Sequence, residues 1–485
     1  MKKSYLIAVA LLAALSAPAA AQDAKTVIAN ATKAMGSETL NSIQIYGSGA
    51  NFGLGQSNNA NGQWPRTNVN DYVRSIDFTQ PASRATGVTF AAPVTGGPAV
   101  QAPFQQNVTP ANTAWAQHLE IWITPWGFLK GAAANNATAS TQTVAGKRYN
   151  VLTWNSTQKA PSGVSYKVVG YINPQNLVEK VETWLENPIF GDMLVEAQYS
   201  EYREGANGLK YPAAIVQKRG GAPTFEAQIL GVRANLANIA ELVTPPAGGQ
   251  RGGPGGGPPA AAAGPTSEKL ADGVYRINGA YNGLAIEFAD HIVLFEGGPQ
   301  NEARSLAIIA EAKKVIPNKP IRYSILSHHH FDHSSGLPGV VAEGATIITH
   351  EVNKAFFERA LGAPRTLAPD AMSKSGKKAK IEGIGDKRVL QDTMRTVEIH
   401  NIKGLPHADG LLVVYLPKEK LLAYADMFNL PTAAAPVPNP PVTGTQVFLA
   451  NIERLKLEPE KILSVHSLNP DRLATVDDIK KSLGR

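Results

Sequence analysis

Histidine is concentrated in the second half of this 485-residue chain, where nine of the ten histidines follow residue 290. Four of them lie in the segment SHHHFDHSSG, directly after the strand-like run IRYSIL. In an extended segment residues two apart point the same way, so His328 and His330 can aim at one point. Asp332 and His333 then turn toward a neighbouring point. This spacing predicts two adjacent metal sites at the carboxyl end of a strand, where α/β sheets commonly place ligands.

His328, His330, Asp332 and His333 match the HxHxDH signature of the metallo-β-lactamase superfamily, which the sequence resembles over residues 268–470. Three further segments follow in the order that this family keeps. They are GLPHADG with His407, LLAYADMF with Asp426, and ILSVHS with His466. A single HxHxDH is already specific, and the ordered set of four elements identifies the second half as a member of the family.

The resemblance implies two metal ions that share one bridging carboxylate. The implied ligands are His328, His330 and His407 at one ion, Asp332, His333 and His466 at the other, and Asp426 between them. Imidazole nitrogen mixed with carboxylate oxygen suits two Zn²⁺ ions and is also compatible with iron or manganese. The implied catalytic groups are Asp332 and a bridging hydroxide held by the metals.

Other residues near these motifs receive different interpretations. Glu296, in LFEGG, stands where the family usually has Asp. His329 points away from His328 and His330, so we expect it to pack or to support the ligands. The remaining histidines of this half lie outside the motifs, and surface or loop positions are expected for His291, His350 and His400.

The elements around the motifs alternate between strands and helices. Apolar runs predict a hairpin over 284–295 and a strand over 321–326, and helical patterns cover 301–315 and 351–361. This alternation predicts an α/β domain with a buried sheet, and the resemblance implies the αββα sandwich of the family.

The first half has a different pattern. A short helix is predicted over 26–35, and period-two alternation at 193–202 and 225–229 predicts antiparallel strands with one wet face. We therefore expect a β-rich α+β domain, which resembles the half-barrel lipoprotein-carrier domains of the periplasm. The stretch 87–112, rich in Ala, Pro, Gly, Gln and Thr, is predicted to be a long exposed loop.

Composition divides the chain into four segments. They are a signal peptide at 1–21, the N-terminal domain at 22–244, a Gly/Pro/Ala-rich linker at 245–265, and the hydrolase domain at 266–485. The first segment has two lysines, a short apolar run and small residues, which is typical of a secretory leader cleaved near Ala21. We therefore expect a periplasmic or secreted protein with no stable membrane span in its mature form. The absence of Cys excludes thiolate ligands and a thiol nucleophile.

These observations favour an exported metal-dependent hydrolase that cleaves an ester, thioester, lactone or related bond in a small molecule. Three alternatives remain: a β-lactam-hydrolysing enzyme, an iron-dependent redox member of the same fold, and an N-terminal carrier module that delivers an apolar ligand. The formal charge of +7 falls to +5 without Lys2 and Lys3, which gives no support for nucleic-acid binding. The sequence leaves the oligomeric state open.

Overall fold

A computed structural model describes residues 23–91, 100–112, 114–246, 264–430 and 437–485. The signal peptide expected at 1–21 and most of the linker expected at 245–265 lie outside these residues. Among the helices that are described, none is both long and apolar enough to cross a membrane.

The first region, up to residue 246, is built on one antiparallel sheet of eleven strands. Its strands are β1 (Ser42–Phe52), β2 (Arg66–Asp77), β3 (Ala82–Ala91), β4 (Val100–Val108), β5 (Thr138–Val144), β6 (Lys147–Lys159), β7 (Ser165–Ile172), β8 (Val178–Asn187), β9 (Gly191–Glu204), β10 (Lys210–Arg219) and β11 (Ala222–Ala234). Strands β1 to β4 and β5 to β11 form two meanders, which join where β1 pairs with β11. The predicted β-rich fold with antiparallel strands is confirmed.

Helices fill one face of this sheet. They are α1 (Ala24–Ala34), α2 (Trp115–Trp122) and α3 (Pro125–Ala134), while the short helix α4 (Ile239–Val243) contacts β2 and β3. The alternation in β9 buries Met193, Val195, Ala197 and Tyr199 on the side that also receives Trp115 and Phe128 from the helices. Large aromatic side chains therefore occupy the centre of this face.

The long exposed loop predicted at 87–112 is wrong over its described part. Strands β3 and β4 pair in register from Ser83 opposite Val108 to Ala91 opposite Val100. Strand β4 lies at the sheet edge, and most of its side chains are exposed. Only Phe104 and Val108 of β4 contact the core, so the strand has too little apolar alternation to be predicted from the sequence. Its Pro103 is tolerated because an edge strand can leave a backbone position without a donor.

The second region contains two sheets. The seven-stranded sheet comprises β12 (Ser267–Ala271), β13 (Val274–Ile277), β14 (Gly283–Glu287), β15 (Ile292–Phe295), β16 (Ile321–Ile325), β17 (Thr346–His350) and β18 (Lys380–Ile384). The five-stranded sheet comprises β19 (Lys387–Gln391), β20 (Thr396–Asn401), β21 (Leu412–Leu416), β22 (Leu421–Tyr424) and β23 (Lys461–Ser464). The helices are α5 (Glu302–Val315), α6 (Phe331–Ser334), α7 (Leu337–Glu343), α8 (Glu351–Leu361), α9 (Ala371–Ser375), α10 (Thr443–Leu455) and α11 (Val476–Ser482).

Three apolar clusters define the layers of this region. One lies between the two sheets and joins residues such as Phe295 of β15 to Val414 of β21. A second lies between the seven-stranded sheet and helices α5, α7 and α8. The third lies between the five-stranded sheet and helices α10 and α11. The layers are therefore helix, sheet, sheet, helix, which confirms the predicted αββα sandwich.

Parallel pairing brings the motif-bearing loops to one edge of the sandwich. Strand β15 runs parallel to β16, and β22 runs parallel to β23. The carboxyl ends of each pair therefore lie side by side. Glu296 follows β15 and His328 follows β16, while Asp426 follows β22 and His466 follows β23.

The two regions are held together at two places. Asp192, at the start of β9, accepts hydrogen bonds from the backbone of Thr366 and Leu367. The guanidinium of Arg365 donates to the carbonyls of Pro188 and Ile189. The second place is the connection between β1 and β2, residues 53–65, which we call the β1–β2 loop. Its contacts with the second region are described below.

Candidate metal centre

Three of the predicted histidine ligands converge at one point. The ring of His330 lies 4.5 Å from the rings of both His328 and His407, measured between centroids. The rings of His328 and His407 are 5.1 Å apart. One nitrogen from each of the three lies within 4.8 Å of the others, which is close enough to share a metal ion. The extended segment after β16 supplies two of these rings, and the loop after β20 supplies the third.

A second group lies directly beside the first. Helix α6 begins at Phe331, so Asp332 and His333 turn away from the direction of His330. His333 Nε2 lies 3.4 Å from Asp332 Oδ2 and 3.3 Å from His466 Nε2. These three side chains also offer ligand atoms within 4.8 Å of one another. The rings of His328 and His333 are only 4.3 Å apart, so the two groups are adjacent.

Asp426 lies between the two groups. Its Oδ2 is 3.5 Å from His328 Nε2 and 2.9 Å from His333 Nε2. The same oxygen is 3.8 Å from His407 Nε2, and Oδ1 is 2.7 Å from His466 Nε2. The backbone of Asp426 adopts a positive φ of 58°, an unusual conformation for a non-glycine residue. This conformation, directly after β22, turns the carboxylate toward both histidine groups.

Unpartnered buried atoms fit the presence of metal ions here. His328 Nε2, His407 Nε2 and Asp426 Oδ2 are all buried, and none has a well-aligned hydrogen bond, although Asp426 Oδ2 lies 2.9 Å from His333 Nε2. A buried polar atom without a partner is costly, so native structures normally satisfy it. These atoms face one another across the two groups, and each has a lone pair for a cation when the imidazoles are neutral. The donor set therefore fits transition-metal binding.

The electrostatics of the first group favour neutral imidazole, the form that binds metal. Burial holds the pKa of His328 well below its usual value, and the neighbouring His333 lowers it further. Burial and the adjacent His407 lower the pKa of His330 to about 4. Burial also lowers the pKa of His407. These three side chains are therefore unprotonated near pH 7 and ready to coordinate.

The second group and Asp426 combine carboxylates with a histidine whose protonated form they stabilise. Burial raises the pKa of Asp426, but His333 and His466 outweigh it and hold that pKa well below the usual value. Burial likewise opposes protonation of His333, yet the carboxylates of Glu296 and Asp426 raise the His333 pKa well above its usual value. Without a cation, this group therefore takes up a proton on His333. A bound metal would supply the positive charge in its place.

Glu296 supports the ligands from beneath. Its carboxylate is fully buried and accepts a hydrogen bond from His333 Nδ1 at 2.8 Å and another from the backbone nitrogen of Ser327 at 2.7 Å. Ser327 Oγ lies 2.9 Å from His328 Nδ1. Partners of this kind fix the tautomer and orientation of metal-binding histidines. In the sequence, Glu296 is noticeable only because the family usually has Asp at this position. Its place directly after β15 was the one feature that could have indicated this supporting role.

Sequence reasoning did not find three other contributors. Tyr281 donates its hydroxyl to Asp332 Oδ2 at 2.9 Å, and its ring packs against that of His466 with centroids 4.5 Å apart and planes tilted by 55°. Gln56 Nε2 donates to Asp332 Oδ1 at 2.9 Å. The carbonyl of Ser57 lies 2.9 Å from His330 Nε2. No local pattern marks these residues, because each is distant in sequence from the ligand it contacts.

The other histidines are placed as follows. His329 points away from the ligand trio toward Ser57, as the spacing predicts. The expectation of surface or loop positions is wrong for His350 and His400, which are buried in strands β17 and β20. His291 lies in the connection between β14 and β15, as expected for a loop residue, although its side chain is buried. Each of the three has a local structural partner that the sequence did not show. His291 stacks on Phe288, and His400 Nε2 lies 2.8 Å from Glu398.

Comparison with known families agrees with this geometry. The sequence profile of the metallo-beta-lactamase superfamily matches residues 279–463, which contain all of the candidate ligands except His466. The C-terminal region of the chain therefore belongs to the metallo-beta-lactamase superfamily. No curated protein matches the chain by sequence.

Several solved structures are similar to part of the chain. The metallo-beta-lactamase from Pontibacter korlensis is 14% identical, with a TM-score of 0.34 over 45% of this chain and 97% of that one. The metallo-beta-lactamase from Hirschia baltica is 19% identical, with a TM-score of 0.34 over 46% of this chain and 97% of that one. The rubredoxin oxygen:oxidoreductase from Desulfovibrio gigas is 17% identical, with a TM-score of 0.34 over 45% of this chain. The present chain spans only 61% of that last protein.

Proposed function

We propose that the protein is an exported, binuclear metal-dependent hydrolase that cleaves an ester, thioester, lactone or related bond in a small molecule. The position of Asp426 between the two histidine groups carries this proposal, because one carboxylate within reach of both groups suits a pair of ions. Two Zn²⁺ ions fit the nitrogen and oxygen donors. Export is supported by the sequence of residues 1–21.

When bound, a pair of metal ions supplies Lewis acidity and lowers the pKa of water toward neutrality. The residues of this chain would bind and orient these ions. Neutral His328, His330 and His407 offer nitrogen lone pairs, while Asp332, His333 and His466 offer a mixed set. Burial and the Asp332 carboxylate raise the pKa of Tyr281, so its hydroxyl stays protonated at neutral pH. It can therefore donate a hydrogen bond at the edge of the site.

Asp426 also argues against β-lactam hydrolysis as the main activity. Its carboxylate occupies coordination space between the groups and adds negative charge there. A β-lactam develops an anionic nitrogen that needs an open metal position. Activated esters require less assistance to their leaving group, so we expect them to react faster. The redox alternative is disfavoured because a mononuclear iron site does not need both His333 and His466.

The test combines metal analysis with a substrate panel. We expect wild-type protein purified without chelator to hold more than one transition-metal ion per chain. With zinc it should cleave an aryl ester, thioester or lactone faster than a penicillin or carbapenem. His328→Ala and His407→Ala should each lower turnover by at least 1000-fold and leave the circular dichroism spectrum unchanged, because the core strands do not depend on these ligands. His291→Ala is the control, since His291 lies at the opposite end of β15 from Glu296.

Three results would contradict the proposal. Fewer than one bound transition metal per chain would remove its basis. Efficient carbapenem cleavage that is lost in His466→Ala would favour the β-lactam alternative. Activity that depends on ferrous iron and oxygen, and that zinc does not restore, would favour the redox alternative.

A further inference from the structure

The β1–β2 loop of the N-terminal region extends to the metal centre of the C-terminal region. The backbone carbonyl of Ser57 lies 2.8 Å from His329 Nε2 and 2.9 Å from His330 Nε2. Both rings are almost completely buried, at 1% and 2% exposure. Two adjacent histidines of the HxHxDH segment therefore share one acceptor from a different sheet.

This contact determines which nitrogen of His330 is free. A carbonyl oxygen can only accept, so Nε2 must carry the hydrogen in each ring. In neutral His330 the lone pair then lies on Nδ1. Ser57 thus selects both the tautomer and the direction of the ring, as carbonyl partners of metal-binding histidines commonly do.

The preceding residue of the loop acts on the second group. Gln56 Nε2 donates to Asp332 Oδ1, while Tyr281 donates to the other oxygen, Oδ2, each at 2.9 Å. The two hydrogen bonds fix the plane of the carboxylate. Asp332 is one of the three side chains that could hold the second ion.

The loop is also fixed to both segments that supply the first group. On one side Gly55, at a positive φ of 75°, lies directly against the ring of Phe331. On the other side Asn58 donates its amide to the carbonyl of Pro406 at 2.7 Å. Its own carbonyl accepts from the backbone nitrogen of Asp409 at 2.7 Å. The loop therefore connects the HxHxDH segment to the segment that carries His407.

We infer that the β1–β2 loop is a positioning element of the metal centre, with the Ser57 carbonyl aligning His330 and the Gln56 amide aligning Asp332. The inference rests on the proposed metal-dependent function. It assigns the N-terminal region a direct influence on metal affinity. Its residues are positioning residues, because they act through the ligands and not on the substrate.

Two glycines of the loop provide a matched pair of variants. A Cβ atom on Gly55 would lie 2.2 Å from the Phe331 ring, so Gly55→Ala must push the loop away from the HxHxDH segment. A Cβ atom on Gly53 would meet nothing closer than 3.6 Å, and Gly53 has no positive φ. Gly53→Ala is therefore the control. Gln56→Ala removes one donor without any steric clash and covers the case in which Gly55→Ala folds poorly.

The measurement is Zn²⁺ affinity by competition with a chromophoric chelator, in the absence of substrate. Loss of partners of this kind typically costs about 10–100-fold in metal affinity, which we expect for Gly55→Ala and, at the lower end, for Gln56→Ala. Gly53→Ala should stay within about twofold of wild type on the same scale. The visible spectrum of Co²⁺-loaded protein should change in Gly55→Ala and Gln56→Ala, because ligand geometry changes. A purely structural role would lower thermal stability and leave that spectrum unchanged.

The possible outcomes separate the two proposals. Wild-type protein that binds no zinc would overturn the proposed function. Wild-type protein that binds zinc, with Gly55→Ala and Gln56→Ala as tight as Gly53→Ala and with the same Co²⁺ spectrum, would overturn the positioning role. A weakened Gly55→Ala with an unaffected Gln56→Ala would support the role of Ser57 and reject that of Gln56.

Discussion

At the scale of single residues, Glu296 connects the sheet to the metal centre. It follows β15 with a φ of 57°, and its two oxygens accept from different elements, the backbone after β16 and a ring on α6. A residue with a shorter side chain would reach these donors from a different backbone position. The carboxylate therefore holds two segments in register as well as orienting His333.

Removing this carboxylate should weaken both stability and metal binding. In Glu296→Ala the Ser327 nitrogen and His333 Nδ1 lose their acceptor while buried, and each unpaired group costs about 1–3 kcal/mol. We expect zinc affinity to fall about 10–100-fold. In Glu296→Gln one oxygen remains, so only one of the two donors is satisfied and the losses should be intermediate. Urea unfolding and chelator competition measure the two effects.

A suitable control is Glu287→Gln, on the neighbouring strand β14, where the carboxylate pairs with Lys319 nearer the surface. It should change stability by less than about 1 kcal/mol. Equal zinc affinity in Glu296→Ala and Glu287→Gln would show that Glu296 does not position His333.

At the scale of elements, the helices and strands that could be predicted from the sequence are those in which apolar residues recur with a regular period. Helices α5 and α8 and strands β14 to β16 lie within a few residues of their expected positions, because each buries a regular face. Strand β4 was missed because its edge position leaves it without such a face. The seven candidate ligands could be predicted because they are residue types that bind metals and occur at fixed spacing after the ends of strands.

A buried histidine, His350, caps the N-terminus of helix α8. His350 is its N-cap, and its Nδ1 accepts from the backbone nitrogen of Val352 at 3.3 Å. Asparagine can supply an accepting oxygen at this position, whereas alanine cannot. We therefore expect His350→Ala to be less stable than His350→Asn by about 1 kcal/mol, measured by urea unfolding at pH 7. Equal stability of the two variants would reject the capping role.

The same residue predicts a pH dependence. Burial lowers the pKa of His350 below its usual 6.5, although Glu351, Asp386 and Asp409 oppose this effect. The unfolded chain therefore binds this proton more readily, so the stability from neutral His350 is present above pH 6.5 and is lost as pH falls below it. The free energy of unfolding should decline less steeply between pH 6.5 and 5 in His350→Asn. An identical slope in wild type would contradict this assignment.

At the scale of the whole molecule, the sequence could not predict how the two regions meet. Gln56 and Asp332 are separated by 276 positions, and Ser57 and His330 by 273. Their contact depends on the placement of one fold against another, and no local periodicity carries that information. The second junction has the same character, because two of the three donors that Asp192 accepts from are backbone nitrogens of residues 366–367, which carry no sequence pattern.

The second junction can be tested separately from the metal centre. Asp192 accepts from the nitrogen and the hydroxyl of Thr366 and from the nitrogen of Leu367. Asp192→Ala removes all three acceptor contacts and should cost about 2 kcal/mol. Asp192→Asn keeps one accepting oxygen and should cost less. Calorimetry should resolve two unfolding transitions in Asp192→Ala where wild type has one, and a single unshifted transition would contradict this expectation.

The sharing of core residues between the regions has a consequence for how this protein can change over generations. Ala60 and Ile189, from the first region, are buried in the same cluster as Ile308 and Phe357 of the second. A genetic crossover between residues 246 and 264 would combine the first region of one lineage with the second region of another. The shared cluster and the contacts of the β1–β2 loop would then be formed by residues that were not selected together. Viable descendants would then need compensating changes on both sides. We therefore expect the two halves to be inherited together and their substitutions at positions 53–65 and 328–333 to be correlated.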